Sequence, residues 1–384
     1  MVFVIGLVGT FGSGCSFIAQ NFFAPEGFQY ISLSDILKNE YVSANPGINT
    51  KDIERHLLQN FGNEVRKAKG SDYLAKKAYE EINNKKSEFI IIDSIRNPEE
   101  INFLKENIIN FFVFGIFADQ DTRWNRVKDR YSDNHGTFAI DEDRDKSEDI
   151  ENGQRVTDCF LLSDVVITNN SYIQGSNDAY KEMKAKIERY LELFQDKTDN
   201  KMPTEVESIM AMAYANSLRS SCLKRKVGAV IVDENANVFS SGYNEVPPYE
   251  RPCKNAYGEC YRNYYKKEIS NLFGEDDKLK DKVMKKVKLL EKCRALHAEE
   301  NAILNIAKFG SANVVKEATL YTTTYPCNLC ANKISKVNIK KVVYFEPYPV
   351  EEAKKTLTSA KIEQEMFEGI TYNSYFKVYS EVIL

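Results

Sequence analysis

The chain has no apolar run near the ~18 residues that a membrane helix requires, so no membrane span is expected. It has no marked charge excess either. Its 52 basic and 56 acidic residues give a net charge of −4 and a pI of about 5.7. A protein built to coat nucleic acid would be strongly basic, although a small basic groove is compatible with this balance. Histidine is scarce, with three residues in 384: His56, His135 and His297. The eight cysteines do not form a disulfide framework for a chain of this length; metal binding in a reducing, cytoplasmic compartment fits them better. Met1-Val2-Phe3-Val4-Ile5 lacks a basic leader and runs into a glycine loop, so it is expected to be a buried strand and not a signal peptide. What is present is ordinary for a globular protein, 43% hydrophobic and 28% charged, and the length suggests two domains.

The one histidine with a motif around it is His297, in His297-Ala298-Glu299. Thirty residues on comes Pro326-Cys327-Asn328-Leu329-Cys330. Together these read H-A-E … P-C-x-x-C, the signature of zinc-dependent nucleobase deaminases. An imidazole and two thiolates from His297, Cys327 and Cys330 give Zn²⁺ three protein ligands and leave a fourth position open to water. Zinc lowers the pKa of such a water toward ~7. Glu299 is then the catalytic proton shuttle and not a ligand. Residues 298–304 read as a helix, and the proline of 326–330 fits the opening of a second one, so both ligand groups are expected at helix starts. A lone C-x-x-C would more often belong to a closed structural zinc site; the glutamate two residues after the histidine favours the open, catalytic one.

Residues 1–197 read as a first domain. An apolar strand, Val2 to Val8, leads into Gly9-Thr10-Phe11-Gly12-Ser13-Gly14-Cys15-Ser16 and then a helix. This is the context of a phosphate-binding P-loop, with Cys15 where the motif has lysine. Gly9, Gly12, Gly14, Cys15 and Ser16 are the candidate nucleotide contacts, for a nucleoside triphosphate with Mg²⁺; the missing lysine argues against fast phosphoryl transfer. A strand at Glu88 to Ile92 ends at Asp93, expected beside magnesium, and Arg96, expected on an acceptor phosphate. Arg123, Arg126 and Arg130 share one helical face and resemble the lid arginines of nucleotide kinases, although a solvated face is the competing reading. Residues 132–155 are acid-rich and read as a mobile lid or surface insertion. Alternating strands and helices imply a mostly parallel sheet with helices on both faces. A polar hinge at 195–201 places the boundary near 198.

Residues 198–384 read as a second α/β domain. A helix at Thr204 to Ser217 precedes a hairpin of Lys226–Val232 and Val238–Tyr243. Helix 297–308, strand 318–324, helix 327–336 and strand 341–345 complete an α/β/α sandwich. Residues 204–350 resemble the deoxycytidylate (dCMP) deaminase family: Arg219-Ser220-Ser221-Cys222, Lys226-Val227-Gly228-Ala229-Val230, Gly242-Tyr243-Asn244, His297-Ala298-Glu299 and Pro326-Cys327-Asn328-Leu329-Cys330 fall in that family's order. The resemblance implies substrate contacts at Asn244 and Tyr348. It also implies a second, closed zinc site from Cys222, Cys253, Cys260 and Cys293, although buried free thiols are the alternative. The whole chain is similar to bacterial anti-phage deoxycytidylate deaminases, in which a kinase-like domain is fused to an enzyme acting on dCTP and dCMP. That similarity implies depletion of phage DNA precursors, a regulatory first domain, a homo-oligomer and a possible inhibitory RNA or protein partner. Two other readings stay open: a polynucleotide cytidine deaminase, which would want a basic aromatic channel, and a bifunctional pyrimidine-salvage kinase–deaminase, which Cys15 disfavours.

Overall fold

The computed structural model describes residues 2–50, 53–84, 87–146, 153–171, 173, 177–199, 201–273, 277–284, 287, 292–308, 315, 317–346 and 351–380. The chain divides into two units, Met1–Pro203 with Glu368–Leu384, and Thr204–Phe367. Both are mixed α/β, each built on one sheet.

In the first unit, β1 (Phe3–Val8), β2 (Gln29–Ser32), β3 (Phe89–Asp93), β4 (Asn110–Phe117) and β5 (Val165–Thr168) pair in the order β5-β4-β1-β3-β2, all parallel. Every residue of β1 is buried, as its unbroken apolar run requires in a parallel strand covered on both faces. β2 is not legible from sequence: it has four residues, and only Ile31 and Ser32 are buried. Helix Asp178–Phe194 is capped by Asn177, whose side chain accepts from the Tyr180 amide, and its Phe194 ring lies 4.2 Å from that of Phe112. The glycine loop leaves β1 at the centre of the sheet, where β4 lies on one side and β3 on the other. The crevice at the carboxyl ends of such strands is where open α/β sheets take ligands.

The described residues of 132–155 are not simply a surface insertion. They include helix His135–Lys146, whose Glu142 and Asp145 are 3% and 0% exposed. Asp145 accepts from Gln59 Nε2 at 3.0 Å and pairs with Arg55 at 2.5 Å and Arg96 at 3.2 Å. A carboxylate this far from water needs cationic partners, and the two part-exposed guanidinium groups supply them.

The second unit pairs β6 (Gly228–Val232), β7 (Val238–Tyr243), β8 (Thr319–Thr322), β9 (Lys341–Tyr344) and β10 (Glu363–Met366) in the order β10-β9-β8-β6-β7. β6 is antiparallel to β7 and β8, and β8, β9 and β10 run parallel. Two glycines let helices close on this sheet. A Cβ on Gly228 would stand 1.9 Å from the Ala213 carbonyl oxygen, and one on Gly242 would stand 2.3 Å from that of Ala298. Gly242 faces Ala229 in the register, so Gly228, one residue earlier, points to the opposite face. Helices Glu205–Ser217 and Ala298–Lys308 therefore cover opposite faces of the sheet.

Residues 368–384, read from sequence as part of the second domain, belong to the first unit. β11 (Gly369–Ile370) pairs antiparallel with β5. Two residues leave no periodicity to read, so this return is invisible in the sequence. No helix among the described residues is long and apolar enough to cross a membrane.

Candidate metal centre and the glycine-loop cavity

His297 directly precedes helix Ala298–Lys308. Before it, Leu296 and Glu245 exchange backbone hydrogen bonds of 2.8 and 3.2 Å, which fixes the approach to the helix. Cys327 is the N-cap of helix Asn328–Lys336, and Cys330 lies in its first turn. The Cys327 and Cys330 sulfurs lie 3.2 and 3.3 Å from His297 Nδ1. Ligand atoms of the three residues all lie within 4.8 Å of one another, the one such group among the described residues. Zinc bond lengths in tetrahedral geometry separate nitrogen and sulfur by about 3.5 Å, so the donor set fits zinc in kind and in spacing.

The protons of this cluster are shared unequally. Hydrogen bonding from Cys330, then from His297, brings Cys327 down to about 4. Hydrogen bonds to Cys293 and Cys327 carry His297 up to about 10. Cys330 is pushed up, first by its bond to Cys327 and then by burial. A thiolate beside a proton-holding neighbour is the environment from which a metal displaces protons. Glu299 is 4% exposed, and burial raises its pKa against the opposing pull of its own backbone N–H and of His297.

Two residues that the sequence reading did not single out tie the helices together. Glu300 accepts from the His297 amide at 3.4 Å and pairs with Lys333 of the second helix at 2.8 Å. The H-x-x-E spacing resembles a capping box and was the available signal; the link to Lys333 had none.

Asn244 is placed less openly than expected. Its Oδ1 accepts from the Val227 amide at 2.8 Å and its Nδ2 donates to the Arg225 carbonyl at 2.9 Å. It holds the strand start from which Arg225 reaches Glu346 at 2.7 Å. Tyr348 lies outside the described residues. Cys222, Cys253, Cys260 and Cys293 all line one small cavity, but they are not among the residues whose ligand atoms cluster within 4.8 Å. Cys293 hydrogen-bonds His297, which lowers its pKa.

In the first unit, Gly9, Gly12, Gly14, Cys15, Ser16, Asp93, Arg96, Arg126 and Arg130 line a cavity of about 420 Å³. Gly14, with φ of 98°, makes the left-handed turn into helix Cys15–Ile18, a conformation that favours glycine. Ser16 and Tyr30 both donate to Asp93 Oδ2, at 2.5 and 2.8 Å. Burial, reinforced by Asp93, pushes the Cys15 thiol up to about 12, so it stays neutral and offers no charge in place of a lysine. Arg126 donates to the Gly12 and Ser13 carbonyls at 3.3 Å, and Asn169 Nδ2 to the Ser13 carbonyl at 2.8 Å. Arg123 does not share this cavity. It is 4% exposed, bound to Glu142 and to the Ala118 carbonyl. Burial with a carboxylate has made it a packing residue, which its shared helical face could not disclose.

Residues 203–346 match the family model for the cytidine and deoxycytidylate deaminase zinc-binding region. The deoxycytidylate deaminase of Enterobacteria phage T2 is 35% identical over 156 residues, which are 38% of this chain and 81% of that protein. The chain belongs to the deoxycytidylate deaminase family. Deoxycytidylate deaminase of Saccharomyces cerevisiae is 34% identical over 186 residues, 47% of this chain and 52% of its own. The chain thus spans about half or less of the length of the yeast members of the family that it matches. Among solved structures, the dCMP deaminase from cyanophage S-TIM5 in complex with dCMP and dUMP aligns with 43% of this chain and 98% of its own, at 25% identity and a TM-score of 0.31. The matched zinc-binding region contains His297, Cys327 and Cys330, the residues that geometry groups independently.

Proposed function

We propose that this protein hydrolytically deaminates deoxycytidine nucleotides, dCMP and dCTP, at C4 of the base. One observation carries the reading: an imidazole and two cysteine sulfurs converge within 4.8 Å, and a buried carboxylate, Glu299, stands two residues from the imidazole. His297, Cys327 and Cys330 would hold zinc, which when bound supplies a water acidified for attack. Glu299 takes one proton from the attacking water as the water oxygen bonds to C4 and delivers it to N3; it then takes the second proton from the new C4 hydroxyl and passes it to the amine, which leaves as ammonia as the C4–N bond breaks and the C4 carbonyl forms. Its raised pKa suits a group that must hold a proton between these steps. Asn244 still has one acceptor lone pair and one N–H beyond its two backbone bonds, enough for a sugar hydroxyl. Tyr348 is the proposed contact to the cytosine ring. The cavity lined by Cys222, Cys253, Cys260 and Cys293 is the proposed second, structural zinc site.

The glycine-loop cavity is proposed to take a nucleoside triphosphate, with Mg²⁺ on Ser16 and Asp93, as a regulatory ligand and not as a phosphoryl donor. A neutral Cys15 supports this. Depletion of phage DNA precursors is the proposed biological role, and nucleotide profiling of infected cells with and without active protein tests it.

Glu299→Ala should keep zinc bound while turnover of dCMP and dCTP falls by about 10²–10⁴-fold. Turnover at the wild-type rate would remove Glu299 from the role. Deamination of single-stranded DNA in preference to free nucleotide would favour the polynucleotide reading.

A further inference from the structure

We propose that Glu300 and Lys333 are a positioning pair: they set the distance between the two halves of the metal centre, and through it the affinity for zinc. The inference rests on the zinc reading of His297, Cys327 and Cys330 and adds what holds those ligands at their spacing. The ligand set is split unequally between two helices. Cys327 and Cys330 both belong to the start of helix Asn328–Lys336, so about one helical turn fixes their separation. His297 precedes the other helix, Ala298–Lys308. The nitrogen-to-sulfur distances are therefore the ones that no single helix fixes. A slide of one helix past the other changes both of them together.

One side of this coordinate is anchored to the sheet. Asn301 Nδ2 donates to the Tyr243 carbonyl at 2.8 Å, Asn305 Nδ2 to the Ser241 carbonyl at 2.9 Å, and the Ser240 hydroxyl to the Ala302 carbonyl at 2.7 Å. These bonds pin helix Ala298–Lys308 along β7. Glu300 and Lys333 bridge to the other side. Each lies three residues after a ligand, Glu300 after His297 and Lys333 after Cys330, about one turn deeper into its helix. Glu300 Oε1 pairs with Lys333 Nζ at 2.8 Å, and its Oε2 accepts from the His297 amide at 3.4 Å. One carboxylate thus touches the backbone of one ligand and, through Lys333, the turn that carries another. As a stabilising contact the pair is weak. The Lys333 and Glu300 side chains are 41% and 20% exposed, and ion pairs this open to water contribute little to folding. Metal–ligand distances, by contrast, tolerate only about 0.2 Å. The consequence of the pair is therefore expected in metal affinity and not in fold stability.

The test uses the full chain and zinc competition against a chelator, counting only the zinc that a His297→Ala control lacks. Lys333→Met should weaken that zinc by about two- to fivefold, and Glu300→Ala by about tenfold. Glu300→Gln loses the ion pair but keeps an acceptor for the His297 amide, so it should match Lys333→Met. The double variant Glu300→Ala/Lys333→Met should bind no more weakly than Glu300→Ala, because both changes remove one contact. The visible spectrum of the Co²⁺-loaded chain, which reports ligand geometry, should shift in Glu300→Ala. The melting midpoint of the metal-free chain should move by no more than about 4 °C; a merely structural pair would move the midpoint and leave zinc affinity and the cobalt spectrum alone. If Glu300→Ala fails to fold, Lys333→Met and Glu300→Gln carry the test. Wild-type zinc affinity in the folded variants, or losses from Glu300→Ala and Lys333→Met that simply add, would overturn the proposal and leave the zinc reading intact. A wild-type chain that holds no more zinc than the His297→Ala control would remove that reading, and the role of the pair with it.

Discussion

At Asp145 a fully buried carboxylate is kept ionised by its neighbours. Burial works against the charge, but Arg96, Arg55 and the Gln59 amide outweigh it, and the pKa lies below its ordinary value. The sign follows: a depressed folded pKa gives stability that is present above the ordinary value of about 3.9 and lost as pH falls through the folded one. Asp145→Asn should therefore destabilise the first unit by about 3 kcal/mol at neutral pH, and the gap to wild type should close below about pH 4. Trp124 is the only tryptophan and packs 5.4 Å from Phe138 of the helix that carries Asp145, so its fluorescence in urea reads this unit alone. An equal gap at pH 7 and pH 3 would rule out charge as the cause. The same residue explains what sequence could and could not disclose. His297, Glu299, Cys327 and Cys330 are legible because their spacings of two and three residues are set by a helix start. Asp145 binds Arg55 from 90 positions away, and in a chain with 56 acidic residues nothing marks that one as the partner.

Helices and strands sort by length and pattern. β1, β3 to β9 and the two ligand-bearing helices follow apolar runs or amphipathic repeats, so they can be read directly. β2 and β11 are too short to carry a period, and β10, Glu-Gln-Glu-Met, is polar along most of its length, so parallel pairing to β9 overrides its composition. Helix seating is decided by Gly242, where the nearest obstacle to a side chain is backbone and cannot rotate away. Gly242→Ala must lift helix Ala298–Lys308 from the sheet and move His297 and Glu299 with it. The expected cost is about 1–3 kcal/mol of stability. A shift near 1 Å at the site would lower turnover about 10²-fold. A variant with wild-type zinc affinity and kcat would show that the helix position is not what sets the site.

By sequence order the second unit interrupts the first, because the chain returns at Glu368. The return is held by many small terms. Glu368 accepts from the Thr168 amide at 2.7 Å and pairs with Lys186 at 2.9 Å. The Thr371 and Ser374 hydroxyls donate to the Ser163 carbonyl and to Asp164, at 2.6 and 2.8 Å. Ile370 and Val378 are 1% and 7% exposed. Burying one aliphatic side chain such as Ile370 contributes about 1.5–3 kcal/mol. Truncation after Phe367 should leave a net loss of about 3 kcal/mol, lowering the Trp124 melting midpoint by roughly 6–12 °C. Such a loss would make the tail part of the first unit's stability and would set 204–367, not 198–384, as the segment to express as a deaminase alone. A midpoint unchanged on truncation would mean that β11 adds nothing to the sheet it completes.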